Sequence, residues 1–269
     1  MSTKIHHSRS GEGPAVVLLH GLFGSGNNLG ALARSLQDRF SVYSVDLPNH
    51  GRSGWLEPAT LADVAAALCA WMAHHGLASA HFVGHSLGGK VAMQLALAQP
   101  RRVSALVVAD IAPVDYPPHH DGVFAALEAV AAGQCSSRAE AAGLMAAHLR
   151  EEQVMQFLLS SLRRDPDGVY RWRFNLEGLR RGYGAVRSAP VATAPYRGPV
   201  LFIRGGDSDY IQEGHRSQIL HLFPQAALKV MPGCGHWLHA QRPSLFNSLV
   251  RRFLLAQAQG DAIGCGEGV

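Results

Sequence analysis

Short runs of branched apolar residues alternate along the chain with stretches whose apolar positions recur every three or four residues. The first kind, at 15–19, 40–45, 81–83, 103–108, 200–203 and 227–230, predicts strands that are apolar on both faces. The second kind, at 29–36, 61–74, 88–98, 213–222 and 244–255, predicts helices. Strand and helix in turn make βαβ units, so the pattern implies a mostly parallel sheet covered by helices on both faces. Between about 113 and 199 the alternation stops. No convincing strand is predicted there, and helical patterns occupy 123–132, 138–150 and 151–162. Prolines at 113, 117 and 118 on entry and at 190, 195 and 199 on exit suit a segment that leaves the sheet and rejoins it. The chain thus divides into a first core part (1–112), a helical cap (113–199), a second core part (200–257) and a flexible tail (258–269). A cap so placed covers the carboxyl edge of the strands, where open α/β sheets bind ligands.

Composition narrows the class. Of 269 residues, 47% are hydrophobic and 16% charged, with mean hydropathy +0.03, which supplies a sizeable core and excludes general disorder. The net charge is +4, but the arginine pairs at 101–102, 163–164, 180–181 and 251–252 are scattered, so no nucleic-acid partner is expected. No apolar run reaches the ~18 residues that span a bilayer, and the first residues lack the apolar core of a signal peptide. The expectation is a cytoplasmic protein without stable membrane insertion. Cys69, Cys135, Cys234 and Cys265 lack paired spacing and predict reduced thiols. Fifteen histidines include adjacent pairs whose side chains diverge, and H-E-x-x-H is absent, so no metal site is expected.

The strongest chemical signal is Gly84-His85-Ser86-Leu87-Gly88-Gly89, a G-x-S-x-G between a predicted strand and a predicted helix. In that context it reads as a nucleophile elbow, with Ser86 exposed on a strained turn and glycines allowing strand and helix to approach. The competing reading, a glycine-rich phosphate turn, requires spacings that are absent. A serine hydroxyl needs an adjacent base near neutral pH, and this elbow expects the order serine, acid, histidine. His236 follows the last predicted strand and suits the base. Two strand ends offer an acid: Asp110, or Asp207 with Asp209 nearby. The loop His20-Gly21-Leu22-Phe23-Gly24 can aim the N–H of Leu22 or Phe23 at an oxyanion, with the Leu87 N–H as second donor. Asp46 to Ser53 reads as scaffolding of the rim. Cap residues Phe124, Leu127, Leu144, Met145, Leu149, Phe157, Leu158, Trp172 and Phe174 are either acyl-pocket lining or cap core.

Taken together with Asp46-Leu47-Pro48-Asn49-His50-Gly51, Asp110-Ile111-Ala112-Pro113-Val114-Asp115-Tyr116, Arg204-Gly205-Gly206-Asp207-Ser208 and Gly235-His236-Trp237, these motifs resemble the α/β-hydrolase superfamily. More narrowly, over roughly residues 12–255, they resemble the small YbfF-type esterases and their ABHD11-like relatives. The resemblance implies an α/β-hydrolase fold, a mostly parallel central sheet flanked by helices, with an inserted helical cap. It also implies a serine esterase or thioesterase acting on small-molecule acyl esters or thioesters without a cofactor, with Ser86 as nucleophile and His236 as base. In that family the Asp of D-I-A-P-V-D-Y often supplies the acid, which favours Asp110. Asp207 departs from the pattern and remains the alternative. C–C hydrolases, cofactor-free perhydrolases and triad-retaining ligand sensors share the same residues.

Overall fold

The computed structural model describes residues 3–57 and 59–264, with side chains as far as Gln259. The first core part runs β1 (His7–Ser10), β2 (Ala15–Leu19), α1 (Gly30–Leu36), β3 (Ser41–Val45), α2 (Leu61–His74), β4 (Ala80–His85), α3 (Leu87–Ala98) and β5 (Val103–Ala109). The insertion holds α4 (Asp121–Ala132), α5 (Arg138–Met145), α6 (Glu152–Ser160), β6 (Leu162–Arg164), β7 (Tyr170–Trp172), α7 (Leu176–Arg181) and α8 (Tyr183–Arg187). The chain returns through β8 (Val200–Gly205), α9 (Arg216–Leu222), β9 (Ala226–Met231), α10 (Leu238–Gln241) and α11 (Pro243–Gly264).

Seven strands form one sheet in the order β1-β3-β2-β4-β5-β8-β9, parallel throughout except for β1 against β3. The period of two along each strand sends alternate side chains into two separate apolar layers. Val17 and Leu19 meet Leu68 and Met72 of α2 and Val91 and Leu95 of α3 on one face. Val16 and Leu18 meet Leu32 and Leu36 of α1 and Val250 and Leu254 of α11 on the other. Both faces are covered, which is why the central strands read as continuous apolar runs. Strand β1 escaped the pattern because His7-Ser8-Arg9-Ser10 is polar and lies at the sheet's edge.

The insertion departs from the all-helical expectation. Strands β6 and β7 pair antiparallel, Leu162 opposite Trp172, in segments of three residues rich in arginine that are too short to show alternation. Helix α5 ends at Met145, short of the predicted 150. The insertion has its own core, around Phe124, Leu127, Met145, Leu158 and Leu162. At the chain's end, α11 continues to Gly264, so 258–264 are helical where the sequence suggests a flexible tail; 265–269, with Cys265, lie outside the described residues.

Helix α3 ties the insertion to the core. Lys90 is 2% exposed, and its Nζ donates to the carbonyl oxygens of Val114 (2.9 Å), Ser188 (2.7 Å) and Arg187. One turn on, the Gln94 amide donates to Val191 O (3.0 Å) and accepts from Val191 N–H (2.8 Å). Entry and exit of the insertion thus converge on one face of the helix that begins at Ser86. An ammonium bound by three carbonyls has its donors satisfied, the condition under which a buried charge is tolerated.

Candidate active site

Ser86 stands between β4 and α3 with φ of 52° and ψ of −117°, a conformation that ordinary residues avoid. The turn is possible because of its neighbours: a β-carbon on Gly84 would lie 2.3 Å from Gly88 O, and one on Gly88 would lie 2.3 Å from Leu19 O. Ser86 N–H is held by Ala109 O of β5 at 3.0 Å. The buried residue before it, His85, donates from Nε2 to His236 O at 2.9 Å, so the elbow also fixes the loop that carries His236.

Asp110 leaves β5 with φ of 53° and is fully buried. Its Oδ1 accepts from Gly205 N–H (2.9 Å), and its Oδ2 accepts from both Ser208 Oγ (2.5 Å) and His236 Nδ1 (2.8 Å). A carboxylate in this position fixes the imidazole proton on Nδ1 and leaves Nε2 as the basic nitrogen. Tyr210 stacks on the His236 ring at 3.9 Å, fixing its plane. Asp207 and Asp209, in contrast, are both exposed, and the described bond of Asp207 is its backbone N–H to Cys234 O. Among the described residues no hydrogen bond joins Ser86 Oγ to His236, and both residues line one cavity. Tyr210 carries no sequence signal, and His85 and Ser208 lie inside motifs that assign them no role.

The loop after β2 is fixed by two buried histidines. His20 donates from Nδ1 to Gly21 O (2.7 Å) and accepts from Leu47 N–H at Nε2 (3.0 Å); His50 donates from Nδ1 to Pro48 O (3.0 Å) and accepts from Phe23 N–H at Nε2 (3.1 Å). Burial pushes His20 down to about 4 and His50 to about 3, so both stay neutral and each keeps one acceptor nitrogen. Of the two loop donors that the sequence offers, Leu22 or Phe23, the Phe23 N–H is engaged by His50. Leu22 N–H and Leu87 N–H have no protein acceptor among the described residues, and both residues border Ser86 in one cavity wall. Asp46 and its loop act as rim scaffolding, with the carboxylate accepting from Gly26 N–H (2.7 Å) and Arg52 N–H (2.9 Å).

Ser86 and His236 share a cavity of about 470 Å³ between core and insertion. Leu149, Phe157 and Leu158 line it, as do His119, His120 and Trp237. The other cap candidates do not. Phe124, Leu127 and Met145 are buried in the insertion's core, Leu144 is 38% exposed, and Trp172 and Phe174 border a separate polar cavity on the far side of Phe23. No cluster of three or more His, Cys, Asp or Glu among the described residues is arranged to hold a metal ion, and no helix among them is long and apolar enough to cross a membrane.

A strained serine at a strand-to-helix turn, with an Asp–His pair across a parallel sheet's carboxyl edge, defines a class, and residues 16–249 match the alpha/beta hydrolase family: the chain belongs to it. Within it, the chain is similar to Esterase YbfF of Escherichia coli (strain K12), 41% identical over 240 residues, covering 89% of this chain and 92% of that protein. It is also similar to the sn-1-specific diacylglycerol lipase ABHD11 of Mus musculus, 39% identical over 249 residues, covering 90% and 81%. A solved structure described as a marine microorganism esterase superposes with a TM-score of 0.90 at 35% identity, covering 94% of this chain and 100% of that one.

Proposed function

We propose that the protein hydrolyses carboxylic esters, and acyl thioesters by the same steps, through an acyl-enzyme intermediate on Ser86. The observation that carries this reading is the bond from His236 Nδ1 to buried Asp110, opening on the same cavity as Ser86. His236 Nε2 takes the proton of Ser86 Oγ as the oxygen attacks the acyl carbonyl. The N–H groups of Leu22 and Leu87 hold the oxyanion, each donor contributing roughly 10²–10³ in kcat. Collapse expels the alcohol or thiol, which takes its proton from His236, and water then attacks the acyl-serine under the same base. Asp110 holds the imidazole's tautomer and stabilises the imidazolium without being protonated. Every step uses residues of the chain, so the reading calls on no cofactor. The cap wall formed by Leu149, Phe157 and Leu158 faces the acyl group and sets its preferred length. The names of the YbfF and ABHD11 relatives, esterase and lipase, support the reaction class.

The test is Ser86→Ala. It should abolish turnover of p-nitrophenyl esters and covalent labelling by a fluorophosphonate while leaving the fold intact, because it removes one hydroxyl from a turn. Labelling that persists in the variant, or that maps to another serine, would refute the assignment.

A further inference from the structure

Phe23 belongs to the catalytic loop by its backbone and to the cap by its side chain. Its ring is 3% exposed and packs at 5.4 Å from Phe124 and 5.1 Å from Phe174, inside the insertion's own core. Its carbonyl oxygen accepts from the hydroxyl of Ser161, a buried cap residue, at 2.7 Å. Its N–H is taken by His50 of the core, and its φ of 64° places it in the left-handed region. The cap also docks on the segment that carries His50: Asn175 N–H donates to Asn49 O at 2.9 Å, and Phe174 forms a bridge to His50.

Counting the polar groups of the loop shows what this grip does. Gly21 O accepts from His20 Nδ1 (2.7 Å) and from Gly24 N–H (3.1 Å), and Phe23 N–H and Phe23 O are both held. In a planar trans peptide the N–H points opposite to the carbonyl, so fixing Gly21 O fixes the direction of Leu22 N–H. Among the described residues Leu22 N–H has no protein acceptor, and Leu22 borders the same cavity as Ser86.

We propose that Ser161 of the cap and His50 of the core are positioning residues that aim Leu22 N–H at the oxyanion by holding the two sides of Phe23, so that the seated cap completes the oxyanion hole. The proposal rests on the acyl-transfer reading above. It gives the cap a part in the chemical step as well as in binding. Phe23 O and Gly24 N–H belong to one planar peptide, so the bond from Ser161 to Phe23 O directs the Gly24 N–H that holds Gly21 O, and the bond from His50 fixes the peptide on the other side of Phe23. Loss of either bond lets the loop relax, which weakens a contact made to the transition state more than to the bound substrate.

The experiment compares phenyl acetate with its thiono analogue, in which C=S replaces C=O. Sulfur is a weak hydrogen-bond acceptor, so a working oxyanion hole favours the oxygen ester and an impaired one favours it less. Ser161→Ala should lower kcat for phenyl acetate about tenfold with KM within about twofold, and the ester-to-thionoester rate ratio should fall by a similar factor. Ser161→Thr, which keeps the hydroxyl, should restore the ratio to within about threefold of the wild type. His50→Gln, whose amide oxygen can accept from Phe23 N–H, should retain more of the ratio than His50→Leu. A merely structural role for Ser161 would slow ester and thionoester alike, and an unmoved ratio in Ser161→Ala, with the wild type turning over phenyl acetate, would overturn the positioning role alone. Absence of any ester turnover by the wild type would overturn the acyl-transfer reading and the positioning role with it.

Discussion

Mild acid should destabilise this protein, and the size of the effect follows from where its histidines lie. Burial pushes His20 and His239 down to about 4 and His50 and His120 down to about 3, against an ordinary value of 6.5. For a base whose folded pKa is lowered, the unfolded chain binds the proton first. Stability is therefore full above 6.5 and is lost as pH falls toward 4 and 3. At about pH 5 each such histidine costs a little under ~2 kcal/mol relative to neutral pH, so the four together remove about 7 kcal/mol. That is comparable with the ~5–15 kcal/mol by which domains of this kind are stable. The assay is urea unfolding followed by far-ultraviolet circular dichroism at pH 7, 6 and 5, with free energies extrapolated to water. The expected course is a steep fall below pH 6.5. Replacing His239, whose ring packs between His85 and Phe246, with Phe should remove one histidine's share of the slope. A loss of less than about 2 kcal/mol between pH 7 and pH 5, one histidine's worth, would refute the reasoning.

The remaining predictions concern catalysis. Asp110→Asn should cost roughly 10⁴ in kcat, because an amide in that position favours the wrong imidazole tautomer, whereas exposed Asp207→Asn should cost less than about tenfold; steady-state kinetics giving the reverse order would transfer the acid's role to Asp207. Phe157→Ala, in the cavity wall, should shift the preferred acyl length across a series of p-nitrophenyl esters, while Trp172→Ala, which faces the other cavity, should leave the profile where it was. An unchanged profile in Phe157→Ala would reduce that residue to packing.

The central strands were legible because they are buried on both faces, which forces apolar runs, and the elbow was legible because a strained serine demands glycines at fixed offsets. What escaped prediction depends on contacts between distant segments. Strand β1 is held by pairing with β3 and carries no apolar signal of its own. The acid stayed open because Asp110 and Asp207 both follow strands that end at the same edge; the choice depends on which carboxylate lies under the imidazole, and residue order does not encode that. Phe23 was a candidate donor for the same reason: only the folded loop shows that His50 claims its N–H. Trp172 and Phe174 have the apolar character of pocket residues, yet the β6–β7 hairpin turns them away from Ser86.

The staple at Lys90 bears on how such proteins diversify. Its three partners are main-chain oxygens at 114, 187 and 188, so the clamp itself does not read which side chains stand at those positions. The strands that flank the seam, β5 and β8, are neighbours in the sheet, with Val107 beside Leu201. Seen from the sheet, everything between is a graft set on two strands that pair with each other. A foreign cap joined at 114 and 187 would inherit the ammonium clamp, and it would have to replace the contacts that the present cap makes to Phe23, Asn49 and His50. Descent can thus exchange what the enzyme recognises and leave untouched what it does.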